Sequence, residues 1–203
     1  MPIPIFFISF IVFIIWFHVK CKQGSKTSTW DEEYWQKEYD SNFARKKDIS
    51  DLDYIEISLQ DLPMEEDGSP EETHIQNELQ NVLKHPILNL NGMSNADIKL
   101  AYGVANFDKL SACDQNYTRL IRTLNQWGVY CFENGKESKA KQILEYAVRL
   151  GSDISATYLT LARIYLHEDQ IEKIQTLIQQ IDQTDSFMKE SIKTKLTQII
   201  REY

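Results

Sequence analysis

The sequence predicts an all-α chain: an N-terminal transmembrane helix, then antiparallel helix pairs in succession, then a C-terminal capping helix. Three observations predict it. An uninterrupted apolar run, Ile3 to Val19, opens the chain. From Asp108 onward, apolar residues recur at three- and four-residue steps, the mark of one helical face. Sliding the chain over itself by about 34 residues brings aliphatic, small and turn positions onto like positions.

The opening run, IPIFFISFIVFIIWFHV, carries no charged side chain unless His18 is protonated. As a helix it would be about 26 Å long against a hydrocarbon core of about 30 Å. Trp16, His18 and Lys20 suit the interface and extend the span. A cleaved signal peptide needs a basic start and small residues before the cut. Here the start is Met1-Pro2-Ile3-Pro4, and bulky or charged residues follow the run. The expected partner of residues 3–19 is therefore the lipid bilayer. Lys20, Lys22 and Lys26 follow the run and no basic residue precedes it, so the bulk of the chain is expected on the cytoplasmic side.

Residues 21–68 read as a juxtamembrane helix and an extended linker. Trp30 to Phe43 places Tyr34, Trp35, Tyr39 and Phe43 along a helix opened by Thr29 and the acids Asp31, Glu32 and Glu33. Ile55, Ile57 and Leu59 alternate with polar residues, which predicts an extended segment ending at Leu62-Pro63. With no partner strand evident, it is expected to strap a helical surface or to await another sheet edge. The acidic stretch Met64 to Pro70 reads as a linker.

Residues 69–203 read as the helical domain. Ser69 caps a helix with Pro70 first and Glu72 at the capping-box position; Ile75, Leu79, Val82 and Leu83 form its stripe and Pro86 stops it. Ser94 or Asn95 caps a short helix ending at Gly103. One long helix then runs from Asp108 to about Glu133, closed by Asn134-Gly135. Further helices are expected over about 136–150, 155–167, 170–180 and 185–201. The last is expected to turn Phe187, Ile192, Leu196, Ile199 and Ile200 inward, with Lys189, Lys193 and Lys195 outward.

At the 34-residue shift, Leu124 falls on Tyr158, Trp127 on Leu161, Gly128 on Ala162, Cys131 on Tyr165, Gly135 on Asp169, Leu144 on Ile178 and Ala147 on Ile181. With Ala140, this pattern resembles the tetratricopeptide (TPR) repeat, in units of about 121–154 and 155–188 capped by about 185–201. The resemblance implies a TPR-like α-solenoid in which small residues let paired helices cross closely. Ile174 and Ile181 depart from the family's Ala, and Ser152 and Ser186 from its Pro, so the second pair is expected to splay.

Composition and spacing narrow the chemistry. The chain of 203 residues carries a net charge of −8. Nucleic-acid binders draw affinity from basic faces; no basic run is present, so no nucleic-acid partner is expected. Cys113 and Cys131, placed on one helix, would lie roughly 27 Å apart, whereas a disulfide needs Cα atoms within about 7 Å. Free thiols, with Cys21 beside the membrane, suit a reducing compartment. His18, His74, His85 and His167 show no ligand spacing beyond the turn trio His167-Glu168-Asp169, so no metal is expected. Phosphate loops and nucleophile elbows are absent from the sequence. The acid pairs Glu65-Glu66 and Glu71-Glu72 read as solvated charge and helix-dipole complement. No enzyme, catalytic residue or cofactor is expected.

The resemblance implies protein binding on the face lined by the first helix of each pair. Carried over by position, that groove comprises Arg122, Asn125, Val129 and Phe132, then Ala156, Leu159, Arg163 and Leu166. Such a surface suits an amphipathic helix or an extended peptide bearing an acid or two. Val129 and Ala156 do not fit the carboxylate clamp of chaperone-binding members. The implied function is a membrane-anchored adaptor for a protein or peptide. The alternative is a structural or assembly subunit of a larger membrane complex. The sequence leaves open whether the groove is free or filled by the chain's own residues 50–85.

Overall fold

The computed structural model describes residues 5–24, 29–65, 68–184 and 186–203, with side chains from Phe7 to Lys20 in the first segment and from Glu32 in the second. Expectations resting on Ile3, Pro4, Lys26 or Asp185, or on the side chains of Cys21 and Lys22, lie outside the described residues. Among the described residues the chain is all-α, with no strand.

α1 (Ile5–Gly24) is a single helix of 20 residues. From Phe7 to Lys20 every side chain is exposed. That stretch is about 21 Å long as a helix, short of a hydrocarbon core. Among the described residues no helix is long and apolar enough to cross a membrane.

α2 (Thr29–Ser41) lies against α4 (Asn95–Tyr102). Polar contacts hold it: Lys37 Nζ stands 2.6 Å from Asp97 Oδ1, and Lys99 Nζ 3.0 Å from Glu38 Oε1. α4 begins with a complete capping box, Ser94 and Asp97 each bonding the other's backbone N–H. It ends at Gly103, whose φ of +90° and contact with the backbone of Arg45 leave no room for a side chain.

The expected extended segment is a strap without a ladder. Ile55 N donates to Ile87 O at 2.9 Å. Leu59–Asp61 then form a turn of 3₁₀ helix. Ile49 and Leu62 are buried, and Ile55, Ile57 and Met64 pack half-buried on the core. The strap runs antiparallel to α6 (Glu137–Arg149): Gln142 Nε2 donates to Asp61 O, and Glu65 reaches Lys136 and Lys139 at the N-terminal end of α6.

α3 (Pro70–Val82) packs antiparallel on α5 (Phe107–Glu133): Ser69 Oγ lies 2.6 Å from Tyr130 Oη at one end, and Asn116 Nδ2 donates to Pro86 O at the other. Ile75, Leu79 and Val82 supply its buried stripe. The N-terminal half of α5 closes a second, smaller core with Ile49, Leu88, Leu90, Ile98, Leu110 and Cys113.

From α5 onward the helices alternate in direction. α5 crosses α6 where Gly128 meets Leu144; a Cβ on Gly128 would overlap that side chain. α7 (Ser155–His167) returns along α6, with Tyr165 Oη donating to Glu145 Oε1 at 2.7 Å and Lys141 pairing with Glu168. α8 (Ile171–Asp182) and α9 (Lys189–Glu202) form a further antiparallel pair, Lys193 meeting Asp182 and Tyr203 Oη donating to Asp169 Oδ1.

The 34-residue spacing recurs in the backbone. The turn after α5 is closed by Asn134 N to Tyr130 O, Gly135 N to Phe132 O and Lys136 N to Cys131 O. Thirty-four positions on, Glu168 N, Asp169 N and Gln170 N bond Ile164 O, Leu166 O and Tyr165 O. Both turns pass through positive φ, at Gly135 and at Asp169; an aspartate tolerates the left-handed region better than most side chains.

Two expectations are corrected. Phe187 does not turn inward; it is fully exposed, because α9 begins at Lys189 and Phe187 sits in the preceding turn. Glu72 is not a solvated helix-start charge: its side chain is completely buried.

Candidate protein-binding surface

The first helix of each pair presents a stripe at spacings of three, four and three residues: Arg122, Asn125, Val129 and Phe132 on α5, then Ala156, Leu159, Arg163 and Leu166 on α7. The structure brings the two stripes side by side. α5 and α7 run parallel, tied by Thr157 Oγ1 donating to Asn125 Oδ1 at 3.0 Å and by the Phe132 ring stacked on His167 at 6.1 Å. Arg122, Ala156 and Arg163 are exposed; Asn125, Val129, Phe132, Leu159 and Leu166 are half-buried.

Neither upstream segment is aimed at this face. α3 covers the flank of α5 bearing Trp127 and Cys131, through Glu72. Trp127 and Val129, two residues apart on a helix, point about 200° apart. The strap's polar contacts fall on α6 and at Ile87. His167, read from sequence as one of a turn trio, sits at the end of the face with Nδ1 3.0 Å from Glu137 Oε1. Among the described residues no group of three His, Cys, Asp or Glu is placed to hold a metal ion.

A buried polar cluster that the sequence did not disclose clamps the back of α5. The Glu72 carboxylate accepts from Trp127 Nε1 at 3.1 Å, Lys136 Nζ at 2.8 Å and Cys131 Sγ at 3.7 Å, and pairs with Lys139 Nζ at 2.5 Å. Lys139 is itself buried, with Glu65 2.9 Å away and the Trp127 ring beneath its ammonium. Burial is the largest single influence on Glu72 and would raise its pKa. The bonds from Lys136, Lys139 and Trp127 together outweigh it and bring the carboxyl down to about 2. Burial pushes the Cys131 thiol the other way, up to about 12, with the Glu72 charge adding to the effect. The thiol is thereby kept protonated and unreactive. Cys113 and Cys131 are both free and buried. No local pattern could have found this cluster, since Glu72 in the first turn of α3 and Lys136 are separated by the rest of α3, by α4 and by α5.

In the second pair Ile174 and Ile181, which depart from the small-residue pattern, are fully buried. A cleft of about 550 Å³ opens alongside, lined by Glu145, Arg149, Leu161, Tyr165, Lys173 and Leu177 among others. Tyr165 fills its wall, with the Lys173 ammonium 5.1 Å from its ring centre.

Compared with protein-family models, with curated proteins and with solved structures, the chain finds no match in any of the three.

Proposed function

We propose that this protein is a non-catalytic adaptor, held at a membrane by α1, that offers the α5/α7 face of a TPR-like array to a protein or peptide. The observation that carries the reading is the pair of parallel stripes, left uncovered by the strap and by α3. Phe132, Leu159 and Leu166 are half-exposed apolar anchors, and Arg122 and Arg163 are exposed cations flanking them. Arginine's planar fork suits carboxylates, so the preferred partner is an amphipathic segment carrying acids. The turn geometry repeated after 34 residues and the close crossing at Gly128 support the kinship with TPR units.

The anchoring part rests on α1. Its described side chains are exposed on every side, and they are apolar from Ile8 to Phe17 except for Ser9. A helix hydrophobic all round is stable where lipid or protein covers it. Lys20 and Lys22 after the apolar run, with no basic residue before it, favour the cytoplasmic side for the helical domain.

The test is a pull-down with the full chain in detergent against a Phe132→Asp, Leu166→Asp variant. Both residues are half-exposed, so the fold should survive, which circular dichroism checks. The expected result is loss of the partner from the variant. Identical partner sets from both proteins would remove this face from consideration.

A further inference from the structure

α2 and the turn that follows it carry exposed aromatic rings. Trp35 and Tyr39, one turn apart on α2, and Phe43, in the turn that follows it, are 67%, 61% and 69% exposed. The rings contact their own neighbours: Tyr39 lies 4.9 Å from Phe43, and Tyr34 meets Trp35 edge-on at 5.5 Å. The opposite side of the helix is committed to α4 through Lys37, Glu38 and the buried Ser41. A third flank is polar, with Glu33, Gln36 and Asp40 facing solvent. The rings are therefore fixed in direction by the domain, on a side of α2 that α4 does not cover.

Position decides what covers it. Only four residues separate Gly24, the end of α1, from Thr29, the start of α2. At full extension that link spans about 18 Å, so α2 cannot leave the neighbourhood of the apolar helix. Indole and phenol rings, apolar with one polar edge, favour the headgroup level of a bilayer over both water and hydrocarbon. Resting on the anchoring part of the proposed function, we propose that Trp35, Tyr39 and Phe43 insert into the lipid interface. α2 is then a second membrane contact that sets the orientation of the α5/α7 face relative to the bilayer. The acids of α2 make this insertion ring-driven rather than electrostatic, since five acids against one lysine between Thr29 and Ser41 repel anionic headgroups.

The experiment uses the full chain in nanodiscs of phosphatidylcholine brominated at shallow acyl positions, with tryptophan fluorescence quenching as the readout. Wild type, Trp16→Phe and Trp35→Phe are compared; Trp30 and Trp127 are common to all three and cancel. Trp16→Phe and Trp35→Phe are each expected to lose one indole's share of the quenching. Tyr39→Ser with Phe43→Ser is expected to abolish the Trp35 share and leave the Trp16 share intact. Quenching of Trp16 without Trp35 overturns the inference while the anchor stands; quenching of neither removes the anchor as well. Undiminished Trp35 quenching in the Tyr39→Ser, Phe43→Ser protein also overturns it. So does Trp35 quenching that appears only on dilution, which would assign the rings to a protein contact.

Discussion

Glu72 shows how one residue ties distant segments together. Its carboxylate and the neighbouring Glu65 bring the end of the strap and the start of α3 against the end of α5 and the start of α6, some sixty residues further along the chain. Two carboxylates and two ammoniums meet there, so the cluster is neutral as a whole. Removing one partner strands the others: a buried ion pair broken on one side costs about 3–5 kcal/mol, because the remaining charge is left uncompensated. Glu72→Gln is therefore expected to lower the urea midpoint strongly, with Lys139→Met in the same chain recovering much of the loss. A recovery no larger than that of a distant control substitution would show that the charges do not act on each other. The pH dependence has a definite sign. The folded carboxyl titrates at about 2, below the ordinary value of 4.5. Its contribution is complete above about pH 4.5 and fades as the pH falls towards 2. Wild type and Glu72→Gln should thus converge in stability across that window; a constant gap would contradict the assignment.

At the scale of the element, the crossing of α5 and α6 turns on Gly128. Alanine there would gain up to about 1 kcal/mol of helix propensity. Its methyl would overlap Leu144, however, and overpacking a tight contact costs about 1–3 kcal/mol. Gly128→Ala should be net destabilising, and Leu144→Ala should cost less in its presence than alone, since it vacates the space. A higher thermal midpoint for Gly128→Ala would mean that the helices do not cross as closely as they stand here. The helices themselves were legible from local signals. Ser94 and Gly103 bound α4, Ser69-Pro70 opens α3, and α7 runs from Ser155 to His167, each as read from caps and periodicity. The start of α9 was not legible, because Phe187 looks like the first core residue of a helix that begins two positions later. The eight face positions were legible only as a stripe. That α5 and α7 lie parallel, making two stripes one surface, is a tertiary fact carried by the Asn125–Thr157 and Phe132–His167 contacts. The aromatic spacing of α2 was visible, yet which side α4 would occupy was not, since Lys37 and Glu38 find partners some sixty residues away.

For the molecule as a whole, the strap decides where the folding unit begins. Read from sequence, residues 21–68 are a connector and the domain starts at Ser69. In the fold, Ile49 and Leu62 are buried, Ile55, Ile57 and Met64 are half-buried, and the two hydrophobic cores each take one of the buried pair. Period-two alternation announced an extended segment but not what it would cover, because a strap has no ladder and its partners are helix surfaces. Full burial of one aliphatic side chain is worth about 1.5–3 kcal/mol, and the strap also brings Glu65 to Lys139. Two chains lacking α1 test the boundary, one starting at Ala44 and one at Ser69. The longer is expected to unfold at higher urea and with a steeper dependence on it, since unfolding exposes both cores together and the slope follows the area exposed. The shorter is expected to bind hydrophobic dyes through the uncovered flank of α6. Equal midpoints and equal slopes would mean that the strap rests on a domain complete without it, and the boundary would return to Ser69.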